Sequence, residues 1–379
     1  MDSIDRRALL LGALAAASAG TLAGCDRSAV RSAGPSVSIT SPTTTSASPT
    51  TVADTRPRWP LTGRLVKDPA ATHHAAVAVK VPDNKDEHPQ VGIDAADIVF
   101  VELDGYRDAS GYAGTRLVPL FHSRMPADVA PVRSIRPVDV PLLSPADAII
   151  GNTGGAGWVL NYVRHYGAHL DGMLSYVNTV GTGSYSIDRA RVRYLGGQAY
   201  YDRAVVCHPK VLARQTTLFR SGPPEAYFPF ATGRTTPSTA AGRAARTLHV
   251  PWKQGDTYDM GYTYDRRTGR YLRSMPWGPH VLADGTRVST DNVLVIRARQ
   301  HYAKIYRGSG HDEPIHDIVD AKGTFAYAHG GRYVSGTWAK AAVTDRFTFR
   351  LADGSPLVMA PGQTFVELVR DTAHLRITG

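Results

Sequence analysis

The chain has 379 residues, 42% of them hydrophobic and 20% charged, which is long and apolar enough to bury the cores of two ordinary domains and excludes a disordered polypeptide. Two cysteines exclude a disulfide-stapled scaffold. Lys and Arg outnumber Asp and Glu by 43 to 33, a formal charge of +10, which favours anionic partners in general; the basic residues are spread along the chain, so nucleic acid is not an expected partner.

Residues 1–24 read as an export signal: Arg6-Arg7 precede an apolar run from Ala8 to Ala23, shorter than the ~20 residues a bilayer-spanning helix needs. Leu22-Ala23-Gly24-Cys25 resembles the lipobox of bacterial lipoproteins. That resemblance implies cleavage before Cys25, diacylglycerol on its thiol, and anchorage by this membrane lipid to the outer face of the bacterial cytoplasmic membrane. Arg6-Arg7 also resembles a twin-arginine signal, with Leu9 where that pattern prefers Phe, so the general and twin-arginine routes both stay open. Over Ala33 to Ala53, 14 of 21 residues are Ser, Thr or Pro, and no apolar period exists to bury a face. Residues 25–58 therefore read as a disordered tether. With Cys25 acylated, Cys207 is the only thiol left, which excludes an intramolecular disulfide.

In the folded body, Ala75 to Val81, Ile98 to Leu103 and Leu117 to His122 read as strands, with Pro119 pointing to an edge or bulge. Residues 139–143 and 147–151 bracket a short helix, and Gly157 to Tyr166 has helical spacing. A turn-rich basic stretch from Ser221 to Arg246 marks a boundary. Beyond it, strand signals recur at 262–265, 269–272, 292–296, 323–327, 346–349 and 365–369, with Asp353-Gly354 as a hairpin turn. The expected fold class is α+β: a mixed α/β N-terminal domain over 59–225, a linker over 226–246, and a mostly antiparallel β C-terminal domain over 247–379.

Several runs carry a family likeness. Pro89-Gln90-Val91-Gly92-Ile93-Asp94-Ala95-Ala96-Asp97-Ile98-Val99 with Glu102, Thr115-Arg116-Leu117 leading to Phe121-His122-Ser123, and Pro131 to Asp139 resemble the YerB-like lipoproteins, domain-of-unknown-function family 3048. Tyr264-Asp265, Tyr271-Leu272-Arg273, Asp291-Asn292-Val293, Gly336 to Lys340 and Pro361 to Val366 are similar to that family's C-terminal domain. The resemblance implies a two-domain envelope lipoprotein with no established biochemical activity. Where the family usually has Pro-His-Asn-Leu, this chain has Cys207-His208-Pro209-Lys210, so a role resting on that Asn does not transfer.

The residues suited to chemistry lie mainly in the first half. Arg133 and Arg136, joined by Arg116, could present guanidinium forks to a phosphate or carboxylate, or could pair with Glu102, Asp139 or Asp147. Asn152, Gly154 and Gly155 open a glycine-rich turn that could aim amides at an anion, or could simply let strand and helix pack. Glu102 and Asp139 could act as acid and base with His208 as shuttle. Cys207 and His208, as neighbours on a strand, point to opposite faces and make no nucleophile and base pair. Ser123 and Ser134 lie near His122 and Asp139 without a Gly-x-Ser-x-Gly elbow, so a serine hydrolase is not indicated. No metal or cofactor motif occurs; His311-Asp312-Glu313 and His316-Asp317 read as a solvated loop. Trp338, Lys340, Tyr302, Tyr306, Tyr327 and Tyr333 read as core or as an aromatic surface. Three functions follow as expectations: binding of a cell-wall or phosphate-bearing ligand in an Arg-rich cleft, cell-wall hydrolysis or transfer through Glu102, Asp139 and His208, or an envelope protein scaffold.

Overall fold

The computed structural model describes residues 54–105, 114–253 and 259–379; the export signal, Cys25 and the tether up to residue 53 lie outside the described residues. Helix is scarce. α1 (Asp139–Leu143), α2 (Gly157–His165) and α3 (Pro209–Leu212) are short, and strands build the rest. The N-terminal half supplies β1 (Val77–Val79), β2 (Val81–Pro82), β3 (Ile98–Leu103), β4 (Thr115–Phe121), β5 (Ala148–Gly151), β6 (Leu170–Asp171), β7 (Tyr185–Ile187), β8 (Arg193–Leu195), β9 (Gln198–Tyr200) and β10 (Val205–Cys207). The C-terminal half supplies β11 (Arg243–Ala244), β12 (Thr247–Pro251), β13 (Asp259–Asp265), β14 (Arg270–Met275), β15 (Gly278–Pro279), β16 (Ser289–Thr290), β17 (Asn292–Ala298), β18 (Gln300–Ala303), β19 (Glu313–His316), β20 (Ala321–His329), β21 (Arg332–Lys340), β22 (Thr348–Leu351), β23 (Thr364–Arg370) and β24 (Arg376–Thr378). The N-terminal half, expected to be mixed α/β, carries a mixed sheet, and the antiparallel strands expected in the C-terminal half are present, while the scarcity of helix makes the protein predominantly β where α+β was expected. Residues 139–143 form the short helix themselves, and 148–151 form a strand.

One twelve-stranded sheet runs through both halves in the order β11-β21-β20-β17-β23-β3-β4-β1-β5-β6, with β2 on β4 and β22 on β21. Its central seam is parallel: β23 lies beside β3 with Thr364 opposite Ile98 and Glu367 opposite Val101, and β17 runs parallel to β23. Both faces are covered, which is why β3 reads Ile-Val-Phe-Val-Glu-Leu with no polar alternation. Ile98 and Phe100 face a core with Val118, Leu120, Trp158, Leu294 and Val366. Val99 and Val101 face the opposite core, where Leu248, Val250, Tyr262 and Tyr271 come from a six-stranded antiparallel sheet, β15-β14-β13-β12-β24 with β16.

Strands β1, β5 and β6 are mutually parallel, and β4 relates them to β3 by two antiparallel steps. The carboxyl ends of β1, β3, β5, β17 and β23 therefore reach one margin of the sheet, and Lys80, Glu102 and Asn152 reach it together.

Phe100→Ala, which hollows the core beside the seam, is expected to destabilise by about 3–5 kcal/mol. Denaturant unfolding followed by probes in each half checks it. A single shared transition, shifted in both probes, is the expected result.

Candidate functional site

At that margin three adjacent strands change from apolar to charged at the same level. Ala76 and Ala78 are followed on their face by Lys80, Ile98 and Phe100 by Glu102, and Leu120 and Val118 are preceded by Arg116, which stands opposite Glu102 in the ladder. Lys80, fully buried, bonds the carboxylates of Glu102 and, at 2.9 Å, Asp139. One ammonium balances one of these two carboxylates. Burial and then the charge of Asp139 push Glu102 up to about 8 against the pull of Lys80, and its Oε2 has no hydrogen-bond partner.

The loop from Arg133 to Asp139 closes over this pair. The Arg136 amide donates to Asp139 at 2.6 Å, while its guanidinium donates to the Asp104 carbonyl at 2.7 Å and lies 3.3 Å from Glu313. Burial, then Arg116, draws Arg136 down to about 10, so it stays cationic at neutral pH. Arg116 pairs with the Asp104 carboxylate and donates to the Ser134 carbonyl at 2.6 Å. His316 accepts from the Leu103 amide, and burial followed by the Lys80 charge holds it down at about 3, as neutral imidazole. Sequence reasoning brought Glu102, Asp139, Arg116 and Arg136 to notice and missed Lys80 and Asp104. The carboxylates that Arg116 and Arg136 use are Asp104 and Glu313, and Asp147 pairs instead with His169 at 2.8 Å. Glu313 and His316 belong to the buried strand β19, which corrects their reading as a solvated loop.

The glycine-rich turn is a packing device. Asn152 donates to Tyr185, Ile150 and Gly172, and its Oδ1 accepts from Gly154 at 2.8 Å. The Thr153 amide donates to the Arg133 carbonyl. A Cβ on Gly155 would come within 3.0 Å of Ile135. The amides of residues 152–154 are thus committed inside the protein.

Arg133 points the other way, toward solvent. Its Nε donates to Glu87 at 2.8 Å, and Asp202 lies 3.7 Å away. Arg193 also pairs with Asp202, and Arg203 lies 4.0 Å from it and 3.5 Å from Asp86. The side chains of Arg133, Arg193 and Arg203 are 26%, 35% and 24% exposed. Arg193 Nε, Arg203 Nε and Asp202 Oδ1 have no hydrogen-bond partner. Arg193 opens the hairpin of β8 and β9, whose turn uses Gly196 and Gly197 at positive φ. Tyr194, Leu195 and Tyr201 stand exposed beside it. Arg193 follows Arg189 and Arg191 at alternate positions, which was the one signal available in the sequence.

His208 stands apart from Glu102 and Asp139. Its bonds are to Asp128 at 2.7 Å and Ser186 at 3.0 Å. Cys207 faces the core, and burial pushes its thiol far above the ordinary range, so it remains protonated and unreactive. Trp338 and Tyr327 are buried, with Trp338 donating to the Arg297 carbonyl and Lys340 to the Val343 carbonyl, which makes them core.

A second buried network joins the halves. Asp83, His88 and His280 approach one another as metal ligands would, but the Arg273 guanidinium already lies among them, 2.8 Å from Asp83 and 2.8 Å from His280 Nδ1. Burial would raise Asp83, yet Arg273 and His88 outweigh it and hold the carboxyl well below its usual range. Burial and Arg273 keep His280 neutral, and its Nε2 pairs with Gln90 at 2.9 Å. The arrangement fits a guanidinium and not a metal cation.

Two β-rich halves share one sheet, with charge gathered at its margin. The chain belongs to the DUF3048 family of proteins of unknown function, matching its N-terminal domain over residues 61–198 and its C-terminal domain over 248–366. The Bacillus subtilis (strain 168) protein named "Putative lipoprotein YerB" is 39% identical over 95 residues, 25% of this chain and 27% of that protein. The crystal structure of YerB from Bacillus subtilis matches with a TM-score of 0.63 at 20% identity, over 85% of this chain and 100% of the other, a likeness of fold.

The folded pKa of Glu102 stands above its unfolded value, so its contribution to stability is complete below the unfolded value and is lost as pH rises toward about 8. Glu102→Gln is expected to remove that part of the decline between pH 5 and 8, measured by urea unfolding at both values. Lys80→Met, which leaves the buried Asp139 carboxylate and the Glu102 carboxyl without their cation, is expected to cost about 3–5 kcal/mol in the same assay.

Proposed function

We propose that the protein is an exported envelope lipoprotein, anchored through lipid on Cys25, that binds an anionic cell-envelope ligand. Its site is Arg133 with Arg193 and Arg203. The observation that carries this reading is the gathering of three part-exposed guanidinium groups around Asp202, with Glu87 and Asp86 at their flanks and the Nε atoms of Arg193 and Arg203 left unpartnered. Buried unpartnered donors call for an acceptor, and a phosphate or carboxylate supplies several in the planar spacing a guanidinium matches. Arg116 and Arg136 hold the internal carboxylates and take no part. Tyr200, opposite Arg193 in the hairpin, adds an exposed ring on the same face as that cation, which suits a phosphate-bearing or uronate-bearing glycan. The signal-like N-terminus and the lipoprotein named among the relatives support the location.

The test is titration of the mature chain with a phosphorylated sugar and with an acidic cell-wall polysaccharide, followed by melting temperature. Arg193→Ala and Arg203→Ala are each expected to weaken binding roughly tenfold, as loss of a charge-assisted hydrogen bond does, and added salt is expected to weaken it further. Binding that survives the double variant unchanged would overturn the reading.

A further inference from the structure

The side chains of Asp128, His208 and Ser186 lie in a row across three antiparallel segments. Val129 and Cys207 exchange both backbone hydrogen bonds, and Val206 lies opposite Ser186 in the pairing of β10 with β7. Val129, Val205 and Cys207 turn into the core. Strand alternation therefore turns Asp128, His208 and Ser186 outward on one face. His208 Nδ1 is 2.7 Å from Asp128 Oδ1, and Nε2 is 3.0 Å from Ser186 Oγ. A carboxylate only accepts, so Nδ1 carries a proton, and in the neutral ring the Nε2 lone pair then faces the serine hydroxyl.

We propose that Ser186, His208 and Asp128 form an acyl-transfer site acting on esters. Nucleophile, base and orienting carboxylate are recognised by this geometry and not by their order along the chain. Ser186 Oγ attacks the ester carbonyl while its proton passes to His208 Nε2. The carbon–alkoxide bond breaks, the imidazolium returns the proton to the departing alcohol, and the acyl group remains on Oγ. Water, giving its proton to Nε2, then attacks the acyl carbon; the acid leaves, and Ser186 recovers its hydrogen. Ester and water become acid and alcohol, with no oxidant or metal required. Asp128 is a positioning residue that fixes the tautomer and the ring. Ser186 and Asp128 are exposed and His208 is partly so, so the carbonyl is reached on an open face. This suits acyl esters displayed on a large molecule better than a small enclosed substrate.

The site is independent of the arginine cluster and is tested separately. The mature chain is treated with a fluorophosphonate, from whose phosphorus Oγ displaces fluoride to form an Oγ–P bond, and is examined by intact mass and peptide mapping. One adduct per chain on Ser186 is expected, absent in Ser186→Ala. His208→Gln is expected to slow labelling by roughly 100-fold or more, the usual worth of a general base. With p-nitrophenyl acetate, Asp128→Asn is expected to lower kcat while KM and the melting temperature hold, a pattern a purely structural carboxylate would not give. No adduct on Ser186, or labelling that His208→Gln leaves unchanged in a folded variant, overturns the proposal.

Discussion

The parallel contact of β23 with β3 is the constraint on which the other features depend. It inserts a strand from the far end of the chain beside Ile98 to Val101, and each half thereby covers apolar surface the other could not cover alone. Gln363 secures the junction by donating to the carbonyls of Asp94 and Ala96. Asp83 with Arg273 and Gln90 with His280 add a buried polar tie at which an unmatched partner would be costly. The two family domains are distinct in sequence and continuous in hydrogen bonding.

The seam also determines where charge collects. A sheet buried on both faces has little room for polar groups along its strands, so they gather where the strands end. At the margin occupied by Lys80, Glu102 and Arg116, cations and carboxyls alternate and bond one another, all but Oε2 of Glu102, which makes the cluster a brace for the loop from Arg133 to Asp139. The surface cluster around Asp202 differs in kind: its arginines keep contact with solvent, and two of them leave an Nε without a partner. Burial, more than residue type, separates the bracing arginines from those suited to a ligand.

Much of the strand content was legible in the sequence because fully covered strands are written as continuous apolar runs: 98–103, 292–296 and 365–369 lie within observed strands, and 117–122 overruns its strand only at His122. The short helix after Arg136 was displaced because Pro141 and Pro145 obscured whether 139–143 or its flank would coil. The pairing of β3 with β23 was not legible, since parallel strands leave no local turn to announce them. Lys80 was hidden inside an apolar run, where its partners from residues 102 and 139 alone give it meaning. Glu313 and His316 looked solvated because local charge density says nothing about a strand packed over them. Asp128, Ser186 and His208 come from three separate segments, and no spacing rule joins them.

Placing β23 so late has a consequence for the order in which the protein can be completed. Gln363 and Ala96, which it bonds, stand 267 positions apart. Until residues 364–370 arrive, β3 presents an open row of amides and carbonyls flanked by Ile98, Val99, Phe100 and Val101, the type of edge that recruits strands from other chains. A copy cut short before β23 would carry that edge permanently. The architecture thus makes a premature stop chemically conspicuous: the truncated chain displays an adhesive margin by which proteases and chaperones, or its own neighbours, would single it out.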